Sequence, residues 1–421
     1  MIILEVGLST ILIVSIAIFL IVILTLVGIL LVARKKLTPQ GEVTIVINGE
    51  KELKVQPGTS LLSTLSEHKI LLPSACGGGG TCGMCKVKVL KGGGTILPTE
   101  TGFFSRKEQL EHWRLACQVK VREDLEIEVP KEIFGIKKWE CTVRSNHNVA
   151  TFIKEFIVDL PDGEKIEFRS GGYIQIDVPP ITVDFAKDIE VEEEYREDWD
   201  KYKMWDLKMV NKEYIFRAYS MANHPAENDI IMLNVRIATP PWDREKNAFM
   251  NVNPGICSSY IFSRKPGDKV NISGPYGEFF LKDTKNEKMF IGGGAGMAPM
   301  RSHIFHLLKT LKVRDIPIRF YYGARNPREM FYEEQYRELE KEFPNFKFTV
   351  AYSDKEPEGA NWGAPNGFIH QVIYDTYLKH HEEPEEIEYY LCGPPLMIAA
   401  VEKMLDDLGV PPENIMFDDF G

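Results

Sequence analysis

The most hydrophobic part of the chain is its beginning. Residues 6–33 contain no charged side chain, and Arg34, Lys35 and Lys36 follow at once. A helix needs roughly 20 apolar residues to cross a bilayer, so this run predicts a single membrane-spanning helix within residues 1–36. Thr38-Pro39-Gln40-Gly41 reads as a short linker. Hydrophobic positions then begin to alternate with polar ones. Residues 43–48 predict a strand, Asn48-Gly49 a hairpin turn, and residues 53–55 the returning strand. Residues 60–68 read as a helix, and 86–90 and 125–129 as strands. Residues 139–143 and 150–158 open a strand-rich region with turns at Pro161-Asp162-Gly163 and Ser170-Gly171-Gly172, the rhythm of an antiparallel barrel. An acidic, aromatic run from about 184 to 214 breaks that rhythm. It reads as a solvated surface insertion, with a docking surface for partner subunits as the alternative. From residue 288 the apolar stretches 289–291, 319–322, 347–351 and 389–391 are separated by helical patterns, the first of them an amphipathic run to 311. This is a βαβ series, hence a parallel sheet of the dinucleotide-binding class.

Composition and charge narrow the picture. A chain of 421 residues holds two to four domains, and the boundaries fall at 1–36, 42–130, 131–284 and 285–421. The formal net charge of −11 gives nucleic-acid binding no support. Basic residues flank the cytoplasmic side of a membrane helix, so the large C-terminal part is expected in the cytoplasm. A cleaved signal peptide would carry its charge before the apolar run and a small-residue cleavage site after it. The retained anchor is the better fit. One helix alone cannot build an ion pathway; it anchors the chain or contacts other membrane subunits.

Four of the seven cysteines are spaced Cys76-x5-Cys82-x2-Cys85-x31-Cys117. Three come from one glycine-rich loop, and the fourth from Leu115-Ala116-Cys117-Gln118. A [2Fe–2S] cluster takes four thiolates, and the glycines let the loop bend and its N–H groups approach the sulfurs. A structural zinc site draws instead on two separate pairs. Disulfides suit neither the low cysteine usage nor three crowded loop thiols. Plant-type ferredoxins have four residues in the first gap. This loop has five and resembles the adrenodoxin-style ferredoxin loop. The element order over 42–130 resembles a β-grasp ferredoxin.

Three motifs follow in the barrel region: Arg217-Ala218-Tyr219-Ser220, Gly255-Ile256-Cys257-Ser258-Ser259 opening a helix, and Gly274-Pro275-Tyr276-Gly277 as a turn. Helix N-termini suit a pyrophosphate. In this order the motifs resemble the ferredoxin–NADP reductase superfamily. That resemblance implies Arg217 on the flavin pyrophosphate, Tyr219 packed on the isoalloxazine and Ser220 near flavin N5. The competing reading makes Tyr219 a core aromatic and Ser258 an ordinary cap. Gly293-Gly294-Ala295-Gly296-Met297-Ala298-Pro299 is not the G-x-G-x-x-G signature, but matches the glycine turn of flavin reductases. Cys392-Gly393-Pro394-Pro395 ends the last apolar strand. In that superfamily the cysteine lies beside nicotinamide C4 and flavin N5; the bland reading is a small buried hydrophobe. Phe420, in Phe417-Asp418-Asp419-Phe420-Gly421, would be the terminal aromatic that shields the flavin. Arg325 and Arg328 can hold a ribose or phosphate, or be surface charge. No basic pocket for a 2′-phosphate is evident, so NADH is preferred to NADPH.

The chain thus reads as a membrane anchor, a β-grasp [2Fe–2S] ferredoxin, an antiparallel flavin-binding barrel and an α/β nicotinamide-binding domain. A hydride brings two electrons and an iron–sulfur cluster accepts one, so a flavin belongs between them. The anchor, the five-residue cysteine gap, the acidic insertion before Arg-Ala-Tyr-Ser and the Phe-Asp-Asp-Phe-Gly end together resemble the F subunit of the sodium-translocating NADH:quinone reductases (the Nqr complex). The resemblance implies FAD, NADH as donor, a bacterial inner membrane, and partner subunits that move sodium and reduce quinone. Two alternatives are a reductase component feeding an oxygenase, which lacks a reason for the anchor, and a tethered binding module with vestigial nucleotide domains, which lacks a reason for the intact motifs.

Overall fold

The computed structural model of the chain describes residues 2–37 and 41–418. The linker residues 38–40 and the terminal residues 419–421, Phe420 among them, lie outside the described residues. The chain divides into two compact units, Met1–Pro73 with Gly78–Phe134, and Ser74–Gly77 with Gly135–Gly421.

The first unit begins with α1 (Ile2–Leu37). Its 36 residues span about 54 Å at 1.5 Å each, more than the hydrocarbon core of a bilayer. Leu12–Leu30 is apolar and none of it is buried. The Thr25 hydroxyl donates to the Ile21 carbonyl at 2.7 Å, so it needs no water.

A five-stranded sheet follows, built from β1 (Val43–Ile47), β2 (Lys51–Val55), β3 (Lys86–Lys91), β4 (Trp113–Leu115) and β5 (Leu125–Glu128). Its order is β2-β1-β5-β3-β4. The β1–β2 turn carries Asn48 and Gly49 at φ 53° and 70°, the left-handed pair that an Asn-Gly hairpin needs. β1 and β5 are parallel, which requires a crossover. α2 (Leu61–Glu67) lies in that crossover. Its N-cap Ser60 accepts from the Ser63 N–H, and it buries Leu61, Leu62 and Leu65 on one side. α3 (Arg106–Leu110) opens with a full capping box between Ser105 and Glu108.

The second unit contains two large sheets. The first is six-stranded: β6 (Lys137–Ala150), β7 (Ile153–Asp159), β8 (Tyr173–Val178), β11 (Ile215–Ser220), β12 (Ile230–Arg236) and β15 (Lys269–Tyr276). Between them lie the hairpin partners β9 (Ile181–Asp184) and β10 (Lys208–Asn211), and the short pair β13 (Trp242–Asp243) and β14 (Ala248–Phe249). The order is β11-β8-β15-β6-β7-β12, with antiparallel neighbours. The two edge strands are drawn together where Met221 bridges Leu233 and Ala222 N donates to Met232 O at 2.7 Å. The sheet therefore curls toward a barrel around Phe156, Ile174, Leu233 and Ile272, all fully buried.

Several features depart from the sequence reading. β6 is one strand of 14 residues, whereas the sequence predicts a strand over 139–143 and another beginning at 150. Register shifts between Val143/Ser145 and Asn148/Ala150 are bulges that interrupt the alternation without ending the strand. Gly274-Pro275-Tyr276 lies in β15 rather than in a turn. The 184–214 insertion is not merely solvated surface. Its α4 (Phe185–Asp188) and α5 (Glu193–Lys201) place Phe185 and Trp199 in the barrel core at 0 % exposure. The Trp199 indole N–H donates to Thr151 O at 2.8 Å. Truncating a buried Trp costs about 3–5 kcal/mol, so the insertion is fastened by a large term.

α6 (Ile256–Phe262) precedes β15. The second sheet is wholly parallel: β16 (Lys288–Gly293), β17 (Ile318–Ala324), β18 (Phe346–Tyr352), β19 (Glu388–Cys392) and β20 (Ile415–Asp418), in the order β18-β17-β16-β19-β20. α7 (Met297–Phe305), α8 (Glu333–Glu342), α9 (Ile369–Thr376) and α10 (Pro395–Asp407) connect its strands. α7 buries all eight residues from Met297 to Ile304. It is a core helix rather than the amphipathic one the sequence suggests, and even its Arg301 is inside, donating to Ala222 O at 2.9 Å and Glu227 Oε2 at 3.0 Å.

Candidate functional site

The cysteine loop is shaped by Gly77, Gly78, Gly80 and Gly83, all at positive φ. At Gly80 a Cβ would fall 2.4 Å from Gln118 Nε2. Its absence leaves room for that amide, which points at Cys117 Sγ from 3.8 Å. Cys82, Cys85 and Cys117 are brought together. The hydrogen bond to the Cys117 sulfur, then burial and the two neighbouring sulfurs, push the Cys85 thiol far up. Cys76 heads the same loop and is half-buried. All seven cysteines are thiols rather than disulfides. A crowded, buried thiol such as Cys85 is what a cationic iron centre would stabilise as a thiolate. Among the described residues no three Cys, His, Asp or Glu side chains form a group set to hold one metal ion. A two-iron cluster asks for less, because its four thiolates are shared between two irons. The residues fit the cluster.

The second unit gathers the other motifs. Arg217, Ala218, Tyr219 and Ser220 form the end of β11 itself, in register with Ile176, Gln175, Ile174 and Tyr173 of β8. A strand sends alternate side chains to opposite faces, so Arg217 and Tyr219 share one face. Arg217 Nη1 donates to Phe216 O at 2.7 Å. Burial, then the adjoining Cys257 thiol, raises the Tyr219 phenol well above its ordinary value. Cys257 lies in the first turn of α6, whose N-cap is Gly255. Ser259 Oγ donates to Gly255 O at 2.7 Å, and Ser258 Oγ accepts from Ala238 N at 3.1 Å. Both serine hydroxyls hold the turn, but Ser258 is not the cap: Gly255 is the N-cap and no side chain caps the helix, which Ile256 begins. Tyr276 stacks on Tyr173 with ring centroids 5.3 Å apart, and its hydroxyl meets Ser273 Oγ at 3.3 Å. Gly274 pairs with Lys137 of β6.

The glycine turn leaves the carboxyl end of β16. Gly293 ends the strand, Gly294-Ala295-Gly296 makes one tight turn, and α7 begins. Tyr322 holds the turn by donating to Gly294 O at 3.1 Å. A Cβ on Gly296 would stand 2.0 Å from the carbonyl oxygen of Cys392, so only glycine allows the turn to lie against β19. Gly292 is the sheet partner of Cys392, and Cys392 is the partner of Asp418. The Ser220 hydroxyl donates to Asp418 Oδ2 at 2.6 Å. Gly393 and Pro394 follow Cys392 into α10. The glycine turn, Cys392, Asp418 and Ser220 therefore meet at one rim of the parallel sheet. It lies between β16 and β19, where strand order reverses, the usual place for a ligand in an open α/β sheet. The sequence alone does not single out Asp418. The carboxylates of the terminal Asp-Asp are the only signal, and nothing local ties either to a strand end.

Arg325 is exposed and Arg328 partly so, and each is paired with a carboxylate. Arg325 Nη2 donates to Glu329 Oε1 at 3.1 Å, and the Arg328 guanidinium pairs with the Asp198 carboxylate. Phe420 lies outside the described residues.

Comparison with known proteins agrees with this layout. Residues 45–122 match the 2Fe-2S iron-sulfur cluster binding domain family, 199–281 the oxidoreductase FAD-binding domain, and 290–403 the oxidoreductase NAD-binding domain. The chain is 57 % identical over 409 residues to the F subunit of the Na(+)-translocating NADH-quinone reductase of Neisseria meningitidis serogroup C, covering 97 % of this chain and 99 % of the relative. It is 54 % identical over 407 residues to the protein of the same name in Pseudomonas aeruginosa, covering 97 % and 98 %. A crystal structure of an Amycolatopsis cytochrome P450 reductase superposes with TM-score 0.61 at 22 % identity, over 90 % of this chain and 98 % of that one. A ferredoxin reductase in carbazole 1,9a-dioxygenase gives 0.57 at 24 %, over the same shares. These two establish the shared fold.

Proposed function

The chain belongs to the family of the Na(+)-translocating NADH-quinone reductase F subunit, and from that premise we propose how its residues divide the work. The protein is an oxidoreductase subunit that carries electrons from NADH by way of FAD to a [2Fe–2S] centre. When bound, FAD would supply the chemistry that takes one hydride, hence two electrons, and delivers them singly to the cluster. The chain's task is to hold, orient and shield.

Cys76, Cys82, Cys85 and Cys117 hold the cluster. Arg217 neutralises the flavin pyrophosphate beside the start of α6, residues 255–259. Tyr219 packs on the flavin ring, with Ala218, Gly274 and Tyr276 shaping its strand surroundings and Phe420 covering the outer face. Ser220 and Asp418 fix a proton-bearing hydrogen bond at the reacting edge. Gly293–Gly296, Cys392, Gly393 and Pro394 receive the nicotinamide, and Arg325 stands at the adenosine end. The working segments are 1–36, 42–130, 131–284 and 285–421. What supports this reading most is the convergence of Ser220, Asp418 and Cys392 from three separate segments.

Other subunits of the complex are its partners, and the membrane-embedded, sodium-moving and quinone-reducing ones are the acceptors we assign. α1 is compatible with a single-pass anchor, and Arg34, Lys35 and Lys36 put the remainder on the cytoplasmic side of a bacterial inner membrane. Anaerobic NADH addition to the purified full chain tests the route. Flavin and iron–sulfur absorption should both bleach, and in Cys82→Ala only the flavin should. Onward transfer that survives Cys82→Ala would overturn the ligand set.

A further inference from the structure

We propose that Asp198, carried in by the 184–214 insertion, is a specificity-determining residue that makes the adenosine end of the site reject a 2′-phosphate by occupying Arg328. The proposal rests on the reading of NADH as donor. In dinucleotide-binding sheets the group beyond the second strand reads the ribose: a carboxylate pairs with the 2′-hydroxyl, and an arginine accommodates a 2′-phosphate. Here the second strand is β17, which ends at Ala324. Arg325 and Arg328 come next, and on charge alone they would favour the phosphorylated cofactor.

Each guanidinium has a carboxylate partner. Arg325 donates to Glu329 at 3.1 Å. Arg328 pairs with Asp198 and also reaches Glu194 O at 3.4 Å. A third carboxylate, Asp354 from beyond β18, accepts from Asn326 Nδ2 at 2.9 Å, and its own N–H donates to Arg325 O. Each guanidinium thus faces one carboxylate, Glu329 for Arg325 and Asp198 for Arg328, and the Asp354 carboxylate bonded to Asn326 adds negative charge where a 2′-phosphate would arrive. Glu329 and Asp354 are local to the nucleotide sheet. Asp198 is not: it lies 130 positions upstream, on α5, next to the buried Trp199. The indole bond to Thr151 O and the Thr151 N–H to Glu329 contact at 3.3 Å fix that helix against the same loop. The Asp198 side chain is 15 % exposed and that of Arg328 36 %, so the pair is partly exposed with its carboxylate the more enclosed partner.

A strut and a charge filter make different predictions. Loss of a strut weakens every nucleotide alike, while loss of the filter changes only the 2′-phosphate. The test uses the full-length holoprotein and its D198N and D198N/R328A variants, titrated by calorimetry with 5′-AMP and 2′,5′-ADP, with NADH and NADPH oxidation followed in parallel. Wild type should gain nothing from the 2′-phosphate. D198N should bind 2′,5′-ADP about fivefold tighter, the scale of one partly exposed ion pair, with 5′-AMP unchanged and kcat/KM for NADPH raised in proportion. Adding R328A should erase the gain. Unchanged 2′,5′-ADP affinity in D198N, or equal weakening of both probes, would overturn the proposal. Wild type that oxidises no NADH at all would instead bring down the donor assignment, and that failure is visible before any variant is made.

Discussion

The Ser220 hydroxyl donates to the Asp418 carboxylate across 198 positions of sequence, Oγ to Oδ2 at 2.6 Å. Ser220 ends a strand of the curled sheet and Asp418 ends the last strand of the parallel one. The second residue is also the lateral partner of Cys392. A hydroxyl held by an acceptor on one side presents its oxygen in a fixed direction on the other. Ser220→Ala should therefore slow flavin reduction by NADH by about 10²-fold, with flavin content unchanged. Anaerobic stopped-flow absorbance reads both quantities, and a wild-type rate in the variant would remove Ser220 from the reacting edge.

Glu100 and Arg114 form a second relationship that can be broken. Glu100 is fully buried and Arg114 nearly so. The carboxylate accepts from Leu97 N at 2.9 Å, Leu115 N at 2.8 Å and Arg114 Nε at 3.0 Å, while Arg114 also donates to Gly93 O and Gly94 O. Leu115 leads directly to Cys117. Glu100→Gln leaves a guanidinium buried without a counter-charge, which costs about 3–5 kcal/mol. Iron–sulfur absorption should then be lost at a lower temperature on heating, while flavin reduction by NADH persists below that point. Thermal loss matching wild type would show the pair to be dispensable.

Lys154 gives a pH signature. It is only 2 % exposed, and burial pushes the amine down to about 8, with Glu192 and Glu190 pulling it back. The folded value lies below the unfolded one. Below about pH 8 both states are charged and the full burial cost is present. Between about 8 and 10.5 the unfolded chain holds a proton that the folded one lacks, so this group's contribution to stability rises with pH. Lys154→Met removes the term. The gap between the variant and wild type should narrow by about 2 kcal/mol from about pH 7.5 to about pH 9.5, as read by denaturant unfolding followed through flavin fluorescence. A gap independent of pH would contradict the buried, depressed amine.

Removal of residues 1–37 takes away α1 and stops short of β1. The truncated chain should partition to the soluble fraction of lysed cells and still pass electrons from NADH to a ferricyanide-type acceptor. Truncated protein that sediments with membranes as the full chain does would locate the membrane attachment elsewhere.

Much of this architecture is legible in the amino-acid order, for reasons that differ by element. The three loop cysteines, the glycine turn and Cys392-Gly393-Pro394 each lie within a few residues, so local spacing suffices to pick them out, whereas Cys117 stands apart from the loop. β1, β2, β3 and β5 show the two-residue period of a half-buried sheet. The continuity of β6 is hidden because its bulges shift the period at Val143/Ser145 and again at Asn148/Ala150. The insertion misleads because its acidic residues outnumber its anchors. Tyr195 and Trp199 are one helical turn apart, and both are buried on α5; that spacing is the overlooked clue. α7 misleads in the opposite sense, since Arg301, Ser302 and His303 are polar by type and yet all enclosed. Asp418 has only the Asp-Asp carboxylates as a local signal, because its contact with Ser220 exists only in the folded chain.

Gly296 offers no functional group, yet it abuts the Cys392 carbonyl with no space for one more carbon. Even alanine there would shove the strand bearing the thiol out of line. A genetic screen for lost dehydrogenase activity should therefore recover lesions at this codon, and a biochemist seeking a missing reagent in them would find only a displaced floor.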